Sequence, residues 1–363
     1  MKNSFLQNVT VTVFGESHGA GIGAVLDGMP AGIPVNDEFI KHQLCLRKPT
    51  GDISTPRVEA DNYIIYSGVF NGYTTGTPIC IVIPNENTKS KDYESDRFLA
   101  RPSHADYVAY EKYNGFEDYR GGGHFSGRVT AGIVAVGAIA ISALKQKGIK
   151  IGTHISRCAG VNDAKFSNYE TEIDLLNNMQ FAVLDNAKGE EMQNTIKAAK
   201  ADCDSVGGVL ETAVIGMPIG VGEPWFDTLE GLISHALFSI PAIKGVEFGL
   251  GFDIADLMGS QANDLFEISD GKIITKTNNN GGINGGISNG MPLVFRCAVK
   301  PTPTIAKEQQ TVDFKENINT TIESAGRHDP CIVHRARVVV DSMVAITLCD
   351  ALTTKYGTDW WLK

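Results

Sequence analysis

Hydrophobic and polar positions alternate strictly at the start of the chain. Val9, Val11 and Val13 are interleaved with Asn8, Thr10 and Thr12, the period-two pattern of a half-buried strand. The apolar run of residues 24–34, "AVLDGMPAGIP", is closed by Gly28, Pro30, Gly32 and Pro34, so a second strand and a turn follow. Further strand pairs are predicted for residues 63–70 with 78–83. Another pair joins 265–268 to 272–276 around the hairpin signal Asp270-Gly271. Helical spacing predicts helices over 37–46 (capped by Asn36), 190–201, 129–144 and about 336–352. Residues 129–144, "VTAGIVAVGAIAISAL", hold sixteen residues without a charge. A membrane span needs ~20 predominantly apolar residues. A shorter Ala- and Gly-rich helix, apolar all round, is expected to be covered by protein on every side. Antiparallel strands with two such helices predict an α+β fold, helices packed between sheets.

The pattern also repeats faintly. "AVLDGMPAGIP" (24–34) echoes "AVIGMPIGVGEP" (213–224), and "TTGTPICIVIP" resembles "SNGMPLVFRCAVKP". A Gly-rich basic loop precedes an Ala-rich helix at 120–144 and again at 326–352. These echoes set up the expectation of an internal duplication.

The charge balance narrows the function classes. A net charge of -10 argues against a nucleic-acid binder or a basic membrane-surface protein. The seven cysteines, an odd number without Cys-x-x-Cys spacing, suit a reducing cytoplasm better than a disulfide framework. No His/Cys cluster has metal-ligand spacing, so no metal is expected. The stretch "MKNSFLQNV" carries no long apolar run, and no secretory signal is expected there.

Candidate chemistry gathers in Gly- and Pro-rich loops: "GESHG" (15–19), "LRKPTGDISTPR" (46–57), "RPSHAD" (101–106), "YRGGGHFSGR" (119–128), "NNNGGINGGISNG" (278–290), "KPTPT" (300–304) and "GRHDPCIVHRAR" (326–337). The first matches the Gly-x-Ser-x-Gly of a hydrolase nucleophile elbow, but that elbow requires a following helix, and a strand is predicted instead. "GAGIGA" imitates a dinucleotide fingerprint and fails for the same reason. Eight of the eleven arginines lie in these loops, and none lies between Cys158 and Phe295. On an acidic chain this concentration points to an anion site built from both ends, since guanidinium binds phosphate and carboxylate bidentately. Solvated surface arginines are the alternative. His18 and His104 each have a hydroxyl neighbour and a nearby acid, which can set tautomer and proton affinity. With Asp329 they are the candidates for proton transfer. His42 and His235 fall in helical patterns and are expected to be structural. These residues describe an enzyme with a polyanionic small-molecule substrate and histidine acid/base chemistry; they do not specify the reaction.

The segments "FGESHG", "RPSHAD", "DYRGGG", "HALFSIPAIKGVEFGLGF", "GGINGGISNGMP", "KPTPTI" and "GRHDPC", in this order and spacing, resemble the chorismate synthase family over nearly the whole chain. The resemblance implies a single domain over residues 1–363 with a β-α-β sandwich fold, assembled as a homotetramer. It implies the anti-1,4-elimination of phosphate from 5-enolpyruvylshikimate 3-phosphate, giving chorismate, with reduced FMN as cofactor. By the same resemblance His18 protonates the leaving phosphate with Ser17 in a supporting relay. His104 stands near flavin N1, and Asp329 near N5. Arg47, Lys48, Arg57, Arg128 and Arg335 are implied for the substrate anions. Ser126, Ala242, Gly285, Lys300, Pro301, Thr302, Pro303, Thr304 and Arg327 are implied for FMN.

The chain departs from the family pattern at several of these positions. Ser103 replaces the glycine of the usual "RPGHAD", which is expected to change the turn. His124, Phe125 and Val129 replace arginine, serine and glutamate, and Phe125 cannot make a serine's hydrogen bond to flavin. Pro241 stands in place of an asparagine. A family arginine falls at Ile53, so use of NADPH by the enzyme alone is not expected. Two other classes follow from single features: a flavin-binding protein without lyase activity, from the altered "HFSGR" loop, and a serine hydrolase acting through Ser17.

Overall fold

The computed structural model describes residues 2–55, 59–86, 97–323 and 329–362. Two five-stranded antiparallel sheets face each other. The first has the order Ser4–Phe5, Thr10–Gly15, Gly21–Asp27, Ile79–Pro84, Ile64–Ser67. The second runs Ile243–Phe248, Leu293–Val299, Gly208–Ile215, Lys150–Cys158, Val161–Asn162. Alternation decides which side of each strand turns inward. Ile22, Ala24 and Leu26 share the buried face with Ile79, Ile81 and Ile83, and Phe295, Cys297 and Val299 do the same in the second sheet.

Between the sheets lie the helices Thr130–Gln146 and Val333–Tyr356, as the expected α+β sandwich requires. The first is long and apolar enough to cross a membrane by length and composition, yet 83% of that stretch is buried inside the fold. Its glycines explain the fit. A Cβ on Gly132 would come within 2.6 Å of the Gly23 carbonyl carbon, and one on Gly137 within 2.8 Å of Ser342 Oγ. Backbone thus packs directly on the first sheet and on the C-terminal helix, a spacing no larger residue permits. Both sheets and both helices contribute to one continuous buried apolar cluster.

The two halves repeat one connection order. Strands Thr10–Gly15 and Gly21–Asp27, helix Asp37–Arg47, strands Ile64–Ser67 and Ile79–Pro84, and helix Thr130–Gln146 form the first half. Strands Lys150–Cys158 and Gly208–Ile215, helix Leu229–Phe238, strands Ile243–Phe248 and Leu293–Val299, and helix Val333–Tyr356 form the second. The strand neighbours are the same in each half. The two Gly-Met-Pro echoes follow equivalent strands, and the two Gly-rich loops precede equivalent helices.

Asn36 caps helix Asp37–Arg47 by accepting from Phe39 N at 3.0 Å. The helix predicted from residue 190 begins at Asn186, because Asp185 accepts from Ala187 N and Lys188 N. Helices Asp106–Tyr113 and Tyr169–Leu176 and the single turn Gly259–Ala262 are additional to the expected ones, and Leu229–Phe238 is anticipated only through the helical pattern around His235. Two of them carry legible caps, Asn168 and Thr228, each bonding the backbone N–H three residues on. His42 and His235 lie on helices as expected. The former bonds the Asn177 carbonyl at 3.1 Å, and the latter packs edge-on against Phe5.

Candidate active site

Ser17 and His18 follow the second strand of the first sheet, and no helix comes after them: the chain turns into strand Gly21–Asp27. The hydrolase elbow is therefore absent. Both side chains are buried, under the Gly-rich turn of residues 120–125. Gly121, Gly122 and Gly123 all have positive φ, a conformation open to glycine and strained for other residues. Ser17 Oγ lies 3.1 Å from the Arg120 carbonyl, 3.0 Å from the Gly121 carbonyl and 3.1 Å from His18 Nδ1. Its single proton goes to a carbonyl, which can only accept, so Oγ accepts from Nδ1–H. In this arrangement Nδ1 carries the proton of the neutral His18 ring, and Nε2 is its basic nitrogen.

Charges surround this pair. Arg120 forms a bidentate pair with Asp118, at 2.8 Å for both bonds. That guanidinium is the first reason the Asp118 carboxyl sits below its usual range, and the neighbouring His18 acts in the same direction. His124 Nδ1 donates to the Gly15 carbonyl at 2.8 Å, tying the turn to the strand that delivers His18. Phe125 turns its ring towards Tyr113. Ser126 accepts from Arg128 N. Asp118 and Arg120 were not singled out from sequence; their signal was a charged pair flanking a glycine run.

The basic residues expected at substrate anions are placed as follows. Arg47, buried, donates to Thr130 Oγ1 at 2.9 Å and to the Gly127 carbonyl at 2.6 Å. Arg128, also buried, pairs with Asp61 and reaches Asn85 Oδ1 at 3.3 Å. Lys48 Nζ donates to the Ala60 carbonyl. Arg335 pairs with Asp329 and donates to the Arg47 carbonyl at 2.9 Å. Arg57 and Arg327 lie outside the described residues. Burial pushes the Asp329 carboxyl above its usual range, against the pull of Arg335.

His104 belongs to a second group. Its Nε2 meets Thr304 Oγ1 at 2.6 Å. Burial first, then the charge of Arg101, lowers its pKa to about 4, so the ring is neutral at pH 7. Ser103, the residue before it, takes φ +59, the left-handed conformation that favours glycine. Lys300 Nζ bonds the Ser103 carbonyl at 2.8 Å, and Lys300 N bonds the carbonyl of Ala242, itself at φ +76. Pro301 to Pro303 continue this loop, and the Thr302 carbonyl accepts from Ser205 Oγ at 2.6 Å. The buried Thr302 Oγ1 has no partner. A loop that carries both an ammonium and an unpaired buried hydroxyl suits a polar, partly anionic cofactor such as FMN. Gly285 lies in the Ile283–Ser288 hairpin, whose Gly286 packs on Glu223 and Thr228.

Chains of contacts lead from Asp329 towards both groups. It reaches His18's side through Arg335, Arg47 and Gly127. It reaches His104's side through Pro330, whose carbonyl accepts from Val206 N, next to the Ser205 that bonds the "KPTPT" loop.

A family model described as chorismate synthase matches residues 9–353. The chain belongs to the chorismate synthase family. It is 46% identical to the chorismate synthase of Pyrococcus abyssi over 355 residues, covering 98% of each chain. To that of Chitinophaga pinensis it is 47% identical over 348 residues, covering 96% of each. A solved structure titled "Crystal Structure of Chorismate Synthase" superposes with a TM-score of 0.76 at 33% identity, over 97% of this chain and 94% of the other. Both the family and its lyase chemistry apply to this chain.

Proposed function

We propose that the protein eliminates phosphate from 5-enolpyruvylshikimate 3-phosphate in the anti-1,4 sense to give chorismate, with reduced FMN as cofactor. In this reaction the C3–O bond breaks, phosphate leaves with the electron pair, C6 loses a proton, and a new double bond completes the diene. The buried Ser17–His18 pair under Gly121 is the observation that carries the reading. With Nδ1 bound to Ser17, an imidazolium can deliver its Nε2 proton to the leaving phosphate. Ser17 fixes that tautomer and serves as relay. Arg47, Lys48, Arg57, Arg128 and Arg335 supply the positive field that gathers the substrate's anions. Reduced FMN, when bound, would supply electron density to the substrate and a basic site for its C6 proton.

On the cofactor side, His104 offers a neutral imidazole as hydrogen-bond partner near flavin N1, held by Thr304. Asp329, its proton affinity raised by burial, can hold or pass a proton near N5. Ser126, Ala242, Gly285, Arg327 and Lys300 to Thr304 make up the proposed cofactor cradle. Lacking an arginine at Ile53, the enzyme does not use NADPH by itself. We further propose one domain over the whole chain, a homotetramer and a cytoplasmic location. Trp225 and Phe226, 86% and 95% exposed, favour a subunit contact.

An anaerobic assay of phosphate and chorismate release, with chemically reduced FMN, tests the reading. FMN binding without phosphate release would favour a flavin-binding protein that lacks the lyase step. Labelling of Ser17 by a fluorophosphonate would favour a hydrolase.

A further inference from the structure

Strand Ile79–Pro84 delivers Asn85 to the turn that carries His18. Pro84 is paired with Gly21 of the neighbouring strand, and Asn85 N extends that ladder by donating to the Ala20 carbonyl at 3.2 Å. The side chain reaches back across residues 16–19. Its Nδ2 donates to the Glu16 carbonyl at 2.8 Å and to the Gly19 carbonyl at 3.0 Å. These two residues flank the Ser17–His18 pair, and the turn between them is closed by Gly19 N donating to the Glu16 carbonyl at 3.1 Å. Further restraint comes from the glycine run, where the Gly123 carbonyl accepts from Ser17 N at 3.1 Å.

The other end of the same carboxamide meets the positive side of the site. Asn85 Oδ1 accepts from Arg128 Nε at 3.3 Å. Arg128 is buried, pairs through Nη1 with the buried Asp61, and reaches the Pro84 carbonyl through Nη2 at 3.5 Å. The partners fix which way the amide points. Two carbonyls can only accept and a guanidinium can only donate, so the NH₂ group faces the turn and the oxygen faces Arg128. A flipped amide would set oxygen against two carbonyl oxygens. Both N–H bonds and the oxygen of Asn85 are therefore engaged, and one planar group joins the strand end, the His18 turn and Arg128.

We propose that Asn85 is a positioning residue for His18. Its two donated bonds hold the backbone on both sides of the Ser17–His18 pair, and its acceptor ties that turn to Arg128. Imidazole and guanidinium thereby keep a fixed relation to each other. The effect on rate rests on the proposed lyase reaction, in which His18 serves the leaving phosphate; the hold on the ring does not. An amide is needed at this position. A carboxylate of the same shape keeps an acceptor for Arg128 but offers no donor to the Glu16 and Gly19 carbonyls.

Two variants of the full chain test this, Asn85→Ala and Asn85→Asp. The readouts are steady-state kinetics with reduced FMN and the ¹⁵N shifts of the histidine rings in the free protein, with the His18 signals assigned by their absence in His18→Gln. Asn85→Ala is expected to lower kcat about 10²-fold with KM nearly unchanged, the signature of a misplaced acting group. Asn85→Asp is expected to be no faster, although it has the native shape and keeps an acceptor for Arg128. In both variants the His18 ring leaves the single-tautomer pattern of the wild type for an averaged one, because Ser17 Oγ is no longer held at Nδ1. The proposal is overturned if either kcat or the ring shifts stay at wild-type values, or if Asn85→Asp turns over like the wild type. A rise in KM with kcat unchanged overturns it too, since Asn85 would then support Arg128 alone, as does failure of both variants to fold. A wild-type enzyme that releases no phosphate would end the lyase reading instead, and the ring shifts would still decide the role of Asn85.

Discussion

Gly121 sits where any side chain would collide with the His18 ring. A Cβ built there overlaps Cε1 and Nδ1 of His18 and comes within 2.9 Å of Ser17 Oγ. The Gly-rich turn and the histidine are separated by a hundred residues of chain, yet neither can move without the other. Gly121 also sits at φ +59, so an alanine would be strained even in open space. Gly121→Ala is expected to push the imidazole out of line and reduce kcat by about 10²-fold, the cost typical of an ångström-scale misplacement. Stopped-flow single turnovers check this. A rate equal to wild type would remove His18 from the chemistry.

His18 and His104 should be separable by their signatures. Replacing either with alanine is expected to cost about two to four decades of rate. His104→Ala should also alter the spectrum or ionisation of bound reduced FMN, because it removes a hydrogen-bonding group beside the flavin. His18→Ala should leave that spectrum nearly unchanged in the absence of substrate. Ser17→Ala should slow the enzyme and still turn over, as a relay member can be spared and a covalent nucleophile cannot. An His104→Ala enzyme with normal rate and normal flavin spectrum would sink the assignment.

Ser103 carries backbone strain beside His104. A non-glycine residue in the left-handed region costs roughly 1–2 kcal/mol. Ser103→Gly relieves this but loosens the unfolded chain, leaving a net gain of about 0.5–1 kcal/mol in unfolding free energy. Chemical denaturation with the slope held in common measures it. A loss of stability would mean that the serine side chain does more for the turn than the strain costs.

Acid should destabilise the fold through its buried neutral histidines. The pKa values of His104 and His334 are lowered from 6.5 to about 4 and about 3. The unfolded chain takes up protons below about pH 6.5 where the folded one does not, so stability falls as pH drops from there towards 3. Above that window these groups contribute no pH dependence. His334→Leu should flatten the slope of unfolding free energy against pH between 6.5 and 3, measured in urea. An unchanged slope would show that His334 is protonated in the folded state.

Much of the architecture was legible along the chain because burial leaves a periodic trace. The alternation at Val9, Val11 and Val13, the uncharged run at 129–144 and the twin Gly-Met-Pro turns are local consequences of which face meets the core. They were enough for sheets, central helices and duplication. The short helix Tyr169–Leu176 is not legible because its mark is a single cap, at Asn168, rather than a long pattern. The candidate site was legible only as a set of loops. Composition put arginines and histidines in them, but the partners those residues choose depend on which distant segments come together. The family resemblance implies Arg128 and Arg47 for substrate anions, but it does not give the partners that hold them: Asp61 for Arg128, and Thr130 and the Gly127 carbonyl for Arg47. The proton position on His18 likewise depends on the Arg120 and Gly121 carbonyls that claim the Ser17 hydroxyl. A side chain's type is written locally, but its hydrogen bonds and proton affinity are set by desolvation and neighbours, and only tertiary packing supplies these.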